Sequence, residues 1–91
     1  MNKAAVIKIS GQVQGVNLRY QVLNYAQKNK LKGWVRNEPD GTVSCCLQND
    51  ELMVDQFIDW LKNECQRAKI DNVHCQWTEQ DMNHENFLII Y

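Results

Sequence analysis

GQVQGVNLRY, residues Gly11 to Tyr20, stands between a short apolar run and a stretch with helical periodicity. Gly11 and Gly15 sit at that junction, and Arg19 follows just inside the expected helix. A glycine-containing turn that feeds a helix start leaves backbone N–H groups without intrahelical partners. Glycine accepts φ > 0, so successive N–H groups can curl into a concavity that holds an anion. The helix dipole adds partial positive charge at the same place. An arginine in the first turn brings a planar, two-pronged donor that fits a phosphate. Two glycines at such a junction also serve as an ordinary tight turn, so the surrounding elements decide between the two.

Upstream, residues 4–10 (AAVIKIS) read as a strand with Ala5, Ile7 and Ile9 on one face. Downstream, a helix is expected from Asn17 to Asn29, with Leu18, Val22, Tyr25 and Ala26 as its buried stripe. GWVRN is a second strand, closed by the turn residues Pro39, Asp40 and Gly41. Val43, Cys45 and Leu47 alternate along a third. A second helix runs from Asp50 to Glu64, with Asn49 or Asp50 as N-cap and Met53, Phe57, Trp60 and Leu61 along one side. Val73, Cys75 and Trp77 alternate as a fourth strand, and NFLIIY supplies a short last one.

The order β-α-β-β-α-β with a terminal strand is the plan of an α+β, ferredoxin-like sandwich. It places two helices on one face of a mostly antiparallel sheet, in one domain spanning residues 1–91. A right-handed crossover makes the first two strands parallel and leaves room for another between them. Parallel strands finish at the same sheet edge. The loop at 11–16 and Asn37, which ends GWVRN, are therefore expected to meet in space.

Composition narrows the class. Apolar residues at 44% and charged residues at 23% are those of an ordinary globular chain. No apolar run is long enough to cross a bilayer, and the N-terminus lacks the apolar core of a signal peptide. A soluble, cytoplasmic monomer with no membrane partner is the expectation. Cys45, Cys46, Cys65 and Cys75 show no C-x-x-C spacing and read as free thiols. Cys45 and Cys46 point to opposite faces of their strand and should not pair; Cys65 with Cys75 stays geometrically open. The net charge of -1 conceals an asymmetry: residues 1–45 carry a balance of +5 and residues 46–91 a balance of -6. Such charge commonly decorates solvated faces, yet it makes the half with the glycine loop the natural place for an anion.

Asn37 has two readings. An asparagine before a Pro-Asp-Gly turn commonly bonds its own backbone. Facing Arg19 across the sheet edge, its amide could instead orient a water molecule, since it carries both a donor and an acceptor.

These residues carry a resemblance. GQVQGVNLR followed by KGWVRNEPDGTV is similar to the acylphosphatase family pattern, close to G-x-V-Q-G-V-x-F-R, then G-W-V-R-N, then D-G-x-V. The resemblance spans essentially the whole chain, and the two motifs together are highly specific. It implies that Arg19 and the backbone donors of Gln14, Gly15 and Val16 bind a phosphoryl group, and that Asn37 positions the attacking water. Arg19 and Asn37 would be the catalytic residues, with no cofactor and no metal. The implied substrate is a small-molecule acyl phosphate, hydrolysed to a carboxylate with inorganic phosphate as product. An acyl phosphate is already activated, so its hydrolysis chiefly needs positioning and charge stabilisation. Four departures stand out. Leu18 replaces an aromatic residue, Lys30 stands where the family often has glycine, NECQRAK lacks a Gly-Pro, and Asn49 stands in for a glycine.

Other functions fit less well. His74 and Cys75 are neighbours facing opposite ways, and His84 lies in a polar turn, so no zinc spacing exists. RNA-recognition domains share the element order, but they need several aromatics on the central strands, and Trp34 is isolated on its strand. A net negative chain also suits nucleic acid poorly, so no nucleic-acid partner is expected. An acylphosphatase-like regulatory domain is the remaining rival, and intact Arg19 and Asn37 argue against it.

Overall fold

The computed structural model describes residues 4–15, 17–64, 69–79 and 86–90. Its elements, in chain order, are β1 (Ala4–Gln12), α1 (Leu18–Lys28), β2 (Gly33–Asn37), β3 (Val43–Leu47), α2 (Glu51–Glu64), β4 (Lys69–Thr78) and β5 (Phe87–Ile90). The five strands form one sheet in the order β4-β1-β3-β2-β5. β3 is antiparallel to both β1 and β2, so those two run the same way with β3 between them. β5 adds parallel to β2 at the edge. This is the expected ferredoxin-like α+β plan, and among the described residues no helix is long and apolar enough to cross a membrane.

The period-2 pattern builds the core. Ile7 and Ile9 of β1, Val43, Cys45 and Leu47 of β3, and Val35 of β2 share one face and are fully buried. Onto that face α1 places Leu18, Val22 and Ala26, and α2 places Val54, Phe57 and Leu61. Val54 belongs to the buried stripe of α2, whereas Met53 and Trp60 lie at its half-buried border. Trp60 stacks on Tyr25 of α1, ring centroids 4.4 Å apart, and Phe57 lies 5.7 Å from Tyr25. Such aromatic pairs add about 0.5–1.5 kcal/mol beyond the area they bury, here between the two helices.

Several boundaries differ from the sequence reading, each for a local reason. β1 runs on to Gln12, two residues past the expected end, because the ladder to β4 resumes after a register shift between Ser10 and Gly11, where β4 carries the extra residue Asp71. At Gly11 (φ 127°) a Cβ would collide with the Lys69 carbonyl oxygen. Gly11 therefore serves close packing of two strands and is no part of the loop ahead of α1. β4 starts at Lys69 rather than near Val73, since its first residues, exposed apart from the half-buried Ile70, are held by backbone pairing and carry no apolar alternation. At α2 the cap is Asp50, whose Oδ1 accepts from Met53 N at 2.9 Å. Asn49 Oδ1 instead accepts from Lys32 N at 3.0 Å.

Cys45 faces the core. Cys46, one residue on, shares a row with Val6 and Trp34 on the opposite face, yet is also buried. Neither is in a disulfide, and burial pushes both thiols above their ordinary pKa, which makes them poor nucleophiles. Cys75 is free and half-buried, while Cys65 and His84 lie outside the described residues.

Candidate active site

The register fixes where the ends of β1 and β2 meet. Ile9 and Asn37 both stand opposite Val43, so the three form one row across the sheet. Asn37 is thus two strand spacings from β1, roughly 10 Å, at the edge where β1 gives way to α1. Between these ends lies a cleft of about 310 Å³, at the small end for ligand pockets. Gly15, Asn17 and Arg19 of the β1–α1 segment line it together with Asn37, over a floor of Val13 and Leu18 and beside Tyr20. The convergence of Arg19 with Asn37 is the one expected from parallel strands.

Two left-handed residues shape the start of α1. Gly15 (φ 75°) and Asn17 (φ 66°) both adopt left-handed conformations, the first as glycine does freely, the second as asparagine tolerates. A Cβ on Gly15 would meet nothing within 4 Å, so glycine is there for its backbone angle, and the adjoining space is open. Asn17 is the N-cap but makes no side-chain capping bond. The first intrahelical bond runs from Gln21 N to Asn17 O at 3.2 Å, and the amides before it are those a helix start presents outward. No acidic residue occupies the first turn of α1, so no carboxylate there offsets the positive pole.

Asn37 is anchored by its strand but not through its side-chain carbonyl. Its Oδ1 is buried and accepts no hydrogen bond from the described residues. A buried acceptor left unpaired costs on the order of 1–3 kcal/mol, and a bound water and a catalytic role are among the things that account for such an atom. No carboxylate or imidazole lines the cleft among the described residues, and Arg19 is its single charged side chain. Among them, too, no group of three His, Cys, Asp or Glu side chains could hold a metal ion.

A second set of bonds braces the cleft's walls. The Gln14 side-chain amide donates to the carbonyls of Glu38 at 2.7 Å and Thr42 at 2.9 Å. Both belong to the turn that follows Asn37, which closes on itself through Glu38 N to Thr42 O at 2.8 Å. Asp40 Oδ1 accepts from Thr42 N at 3.0 Å and Thr42 Oγ1 at 2.6 Å, and Asp40 pairs with Lys8 at 3.2 Å. These bonds, the Thr42 hydroxyl first, hold the Asp40 carboxyl at about 2. The Arg36 guanidinium likewise lowers the pKa of Glu38.

Of the residues singled out in the sequence, Gly15, Arg19 and Asn37 line the cleft. Gln14 adjoins it with its side chain turned to the turn carbonyls, and Val16 lies outside the described residues. Sequence reasoning missed two contributions. Asn17 was legible only as a helix start, although an asparagine at that place also signals left-handed backbone. The Gln14 bonds reach across 24 and 28 residues and leave no local pattern.

Comparison with known proteins shows the family and the fold. The family model for Acylphosphatase matches residues 5–89. An acylphosphatase of Geobacillus thermodenitrificans is 36% identical over 91 residues, covering 100% of this chain and 96% of the relative. One from Methanospirillum hungatei is 41% identical over 80 residues, 87% of each chain. The crystal structure of acylphosphatase from Bacillus subtilis superposes with a TM-score of 0.89 at 32% identity, over 98% of this chain and 99% of that one.

Proposed function

The chain belongs to the acylphosphatase family, a family of hydrolases acting on acyl phosphates, and from that premise we propose how its cleft works. The phosphoryl group sits on the β1–α1 segment, held by backbone amides of Gln14, Gly15 and Val16 and by the two-pronged Arg19 guanidinium. Water held by Asn37 attacks phosphorus. The bond from phosphorus to the bridging oxygen breaks, and the electron pair leaves with the carboxylate. The water's proton passes to a phosphoryl oxygen, and the products are a carboxylate and inorganic phosphate.

The observation that carries this reading is the buried, unpartnered Asn37 Oδ1 in the same cleft as Arg19. An acceptor in that position takes a hydrogen bond from water and aims the oxygen lone pair at phosphorus. Arg19 and the positive pole of α1 meet the charge that spreads over the equatorial oxygens. A carboxylate is a weak base and leaves without a general acid, in keeping with a lining that offers no His, Asp or Glu among the described residues. No step of this scheme calls on a metal. The protein acts as a cytoplasmic monomer on a small molecule, with no nucleic-acid or membrane partner.

Hydrolysis of benzoyl phosphate with and without a chelator tests this. Equal rates are expected. A rate lost to chelator and restored by magnesium would sink the metal-free mechanism.

A further inference from the structure

The groups that line the cleft divide by chemistry. Gly15, Asn17, Arg19 and Asn37 offer polar atoms suited to a phosphoryl group and a water molecule. Val13 and Leu18 are each 1% exposed, so their area is already spent on the protein's own core. Tyr20 alone among the lining residues combines a large apolar ring with substantial exposure, 49%. Tyr20 lines the same cleft as Arg19, one position further along α1.

An acyl phosphate has two ends. If its phosphoryl end occupies the segment before α1, the acyl end has to leave the cleft past its exposed wall. We infer that Tyr20 is the acyl-specificity residue: its ring flanks the acyl group and favours aryl and other bulky apolar acyl phosphates over acetyl phosphate. The inference rests on the acyl phosphate reading of the site. Tyrosine suits the task because its ring offers a large, rigid apolar face. A ring contact at a partly open wall improves binding of ground state and transition state alike, so its effect belongs in KM rather than kcat. A methyl group is too small to cover the ring, whereas a phenyl group can lie against it.

The test is the ratio of kcat/KM for benzoyl phosphate to that for acetyl phosphate. It is measured in the wild type, Tyr20→Ala, Tyr20→Gln and Tyr20→Phe, each checked for folding by circular dichroism. The ratio is expected to fall roughly tenfold in both Tyr20→Ala and Tyr20→Gln, carried by the KM of benzoyl phosphate, the discrimination typical of one apolar contact. Tyr20→Phe keeps the ring and should keep the ratio. Wild-type activity with a ratio unmoved by Tyr20→Ala and Tyr20→Gln overturns the role of Tyr20 and leaves the acyl phosphate reading intact. Loss of the ratio in Tyr20→Phe as well also overturns it, since the ring would not be what counts. Wild-type protein that hydrolyses neither substrate overturns the acyl phosphate reading and this inference with it.

Discussion

Gln14 Nε2 donates to the main-chain carbonyl of Glu38 at 2.7 Å, tying the segment before α1 to the residue that directly follows Asn37. The same amide group reaches Thr42 O at 2.9 Å. One side chain thus braces the two walls of the cleft, beside the β3 strand that pairs with both β1 and β2. Displacing a reacting group by about 1 Å can cost on the order of a hundredfold in rate. Gln14→Glu keeps the shape but replaces the donor with an acceptor facing two carbonyl oxygens. The expectation is a kcat lowered about 10–100-fold by either Gln14→Glu or Gln14→Ala, with the larger loss for glutamate. Steady-state kinetics on benzoyl phosphate decides this; an unchanged kcat in Gln14→Glu would show that the walls keep their spacing without the bond.

Arg19 is half-buried at the cleft wall. Arg19→Lys retains the charge but not the planar fork, and lysine binds phosphate as a point charge. Loss of such a transition-state donor typically costs about 10²–10³ in rate. The variant should lose most of its turnover and most of its affinity for inorganic phosphate, measured as competitive inhibition. Turnover near that of the wild type would make Arg19 a structural residue.

For Asn37 the expected pattern is different. Asn37→Ala removes the unpartnered Oδ1 without touching the segment before α1. Turnover should fall heavily while inhibition by phosphate barely changes, because the lost contact is made to water and not to the bound anion. The truncation also deletes a buried acceptor without a partner, so stability should hold or rise slightly. Phosphate affinity falling in step with turnover would refute this division of labour.

How far these features could be read from the sequence depends on the range of the interaction behind each. Ile7, Ile9, Val43 and Cys45 announce their strands by alternation, and Leu18, Val22 and Ala26 announce α1 by helical spacing, because packing onto a shared core is periodic. The meeting of Arg19 with Asn37 was legible through topology, since strand direction fixes which ends coincide. Gly11 misled because a glycine in a strand and a glycine in a loop look alike until its neighbour across the sheet, here β4, is known. The Gln14 bonds and the early start of β4 were not legible at all: backbone acceptors and backbone pairing carry no residue signature.

Acid should loosen the turn beside the site. The Asp40 carboxyl, held at about 2 against an ordinary 3.8 by Thr42 and Lys8, has a folded-state pKa below its unfolded value. Its contribution is therefore fully present above about pH 4 and is lost as pH falls through about 2. Asp40→Asn is expected to be less stable than the wild type at pH 6, with the gap closing between about pH 4 and pH 2. Urea denaturation of both proteins across that range measures it. A gap that stays constant down to pH 2 would mean that the charge on Asp40 does not support the turn.

Lys30 offers a test of the fold with an unusual sign. It follows the Asn29 C-cap of α1 and adopts φ 55°, while Asn29 itself stays at φ -100°. Leu31 N donates to Ala26 O at 2.8 Å and Lys30 N to Gln27 O at 3.4 Å, the paired bonds of a helix end closed by one left-handed residue. Lysine carries a Cβ, which makes that conformation cost roughly 1–2 kcal/mol, whereas glycine enters it freely. Glycine gives back about 0.4–1 kcal/mol through the greater freedom it loses on folding. The strain relieved exceeds the entropy lost, so Lys30→Gly should stabilise the protein by roughly 0.5–1 kcal/mol. Lys28, two residues earlier, is the last residue of α1. There Lys28→Gly relieves no strain, gives up helix propensity and removes a positive charge from the negative pole, and should cost about 1 kcal/mol. Chemical denaturation of the two variants separates these effects. If both lose stability, the left-handed lysine is not strained, and the end of α1 is held by something other than the conformation of residue 30.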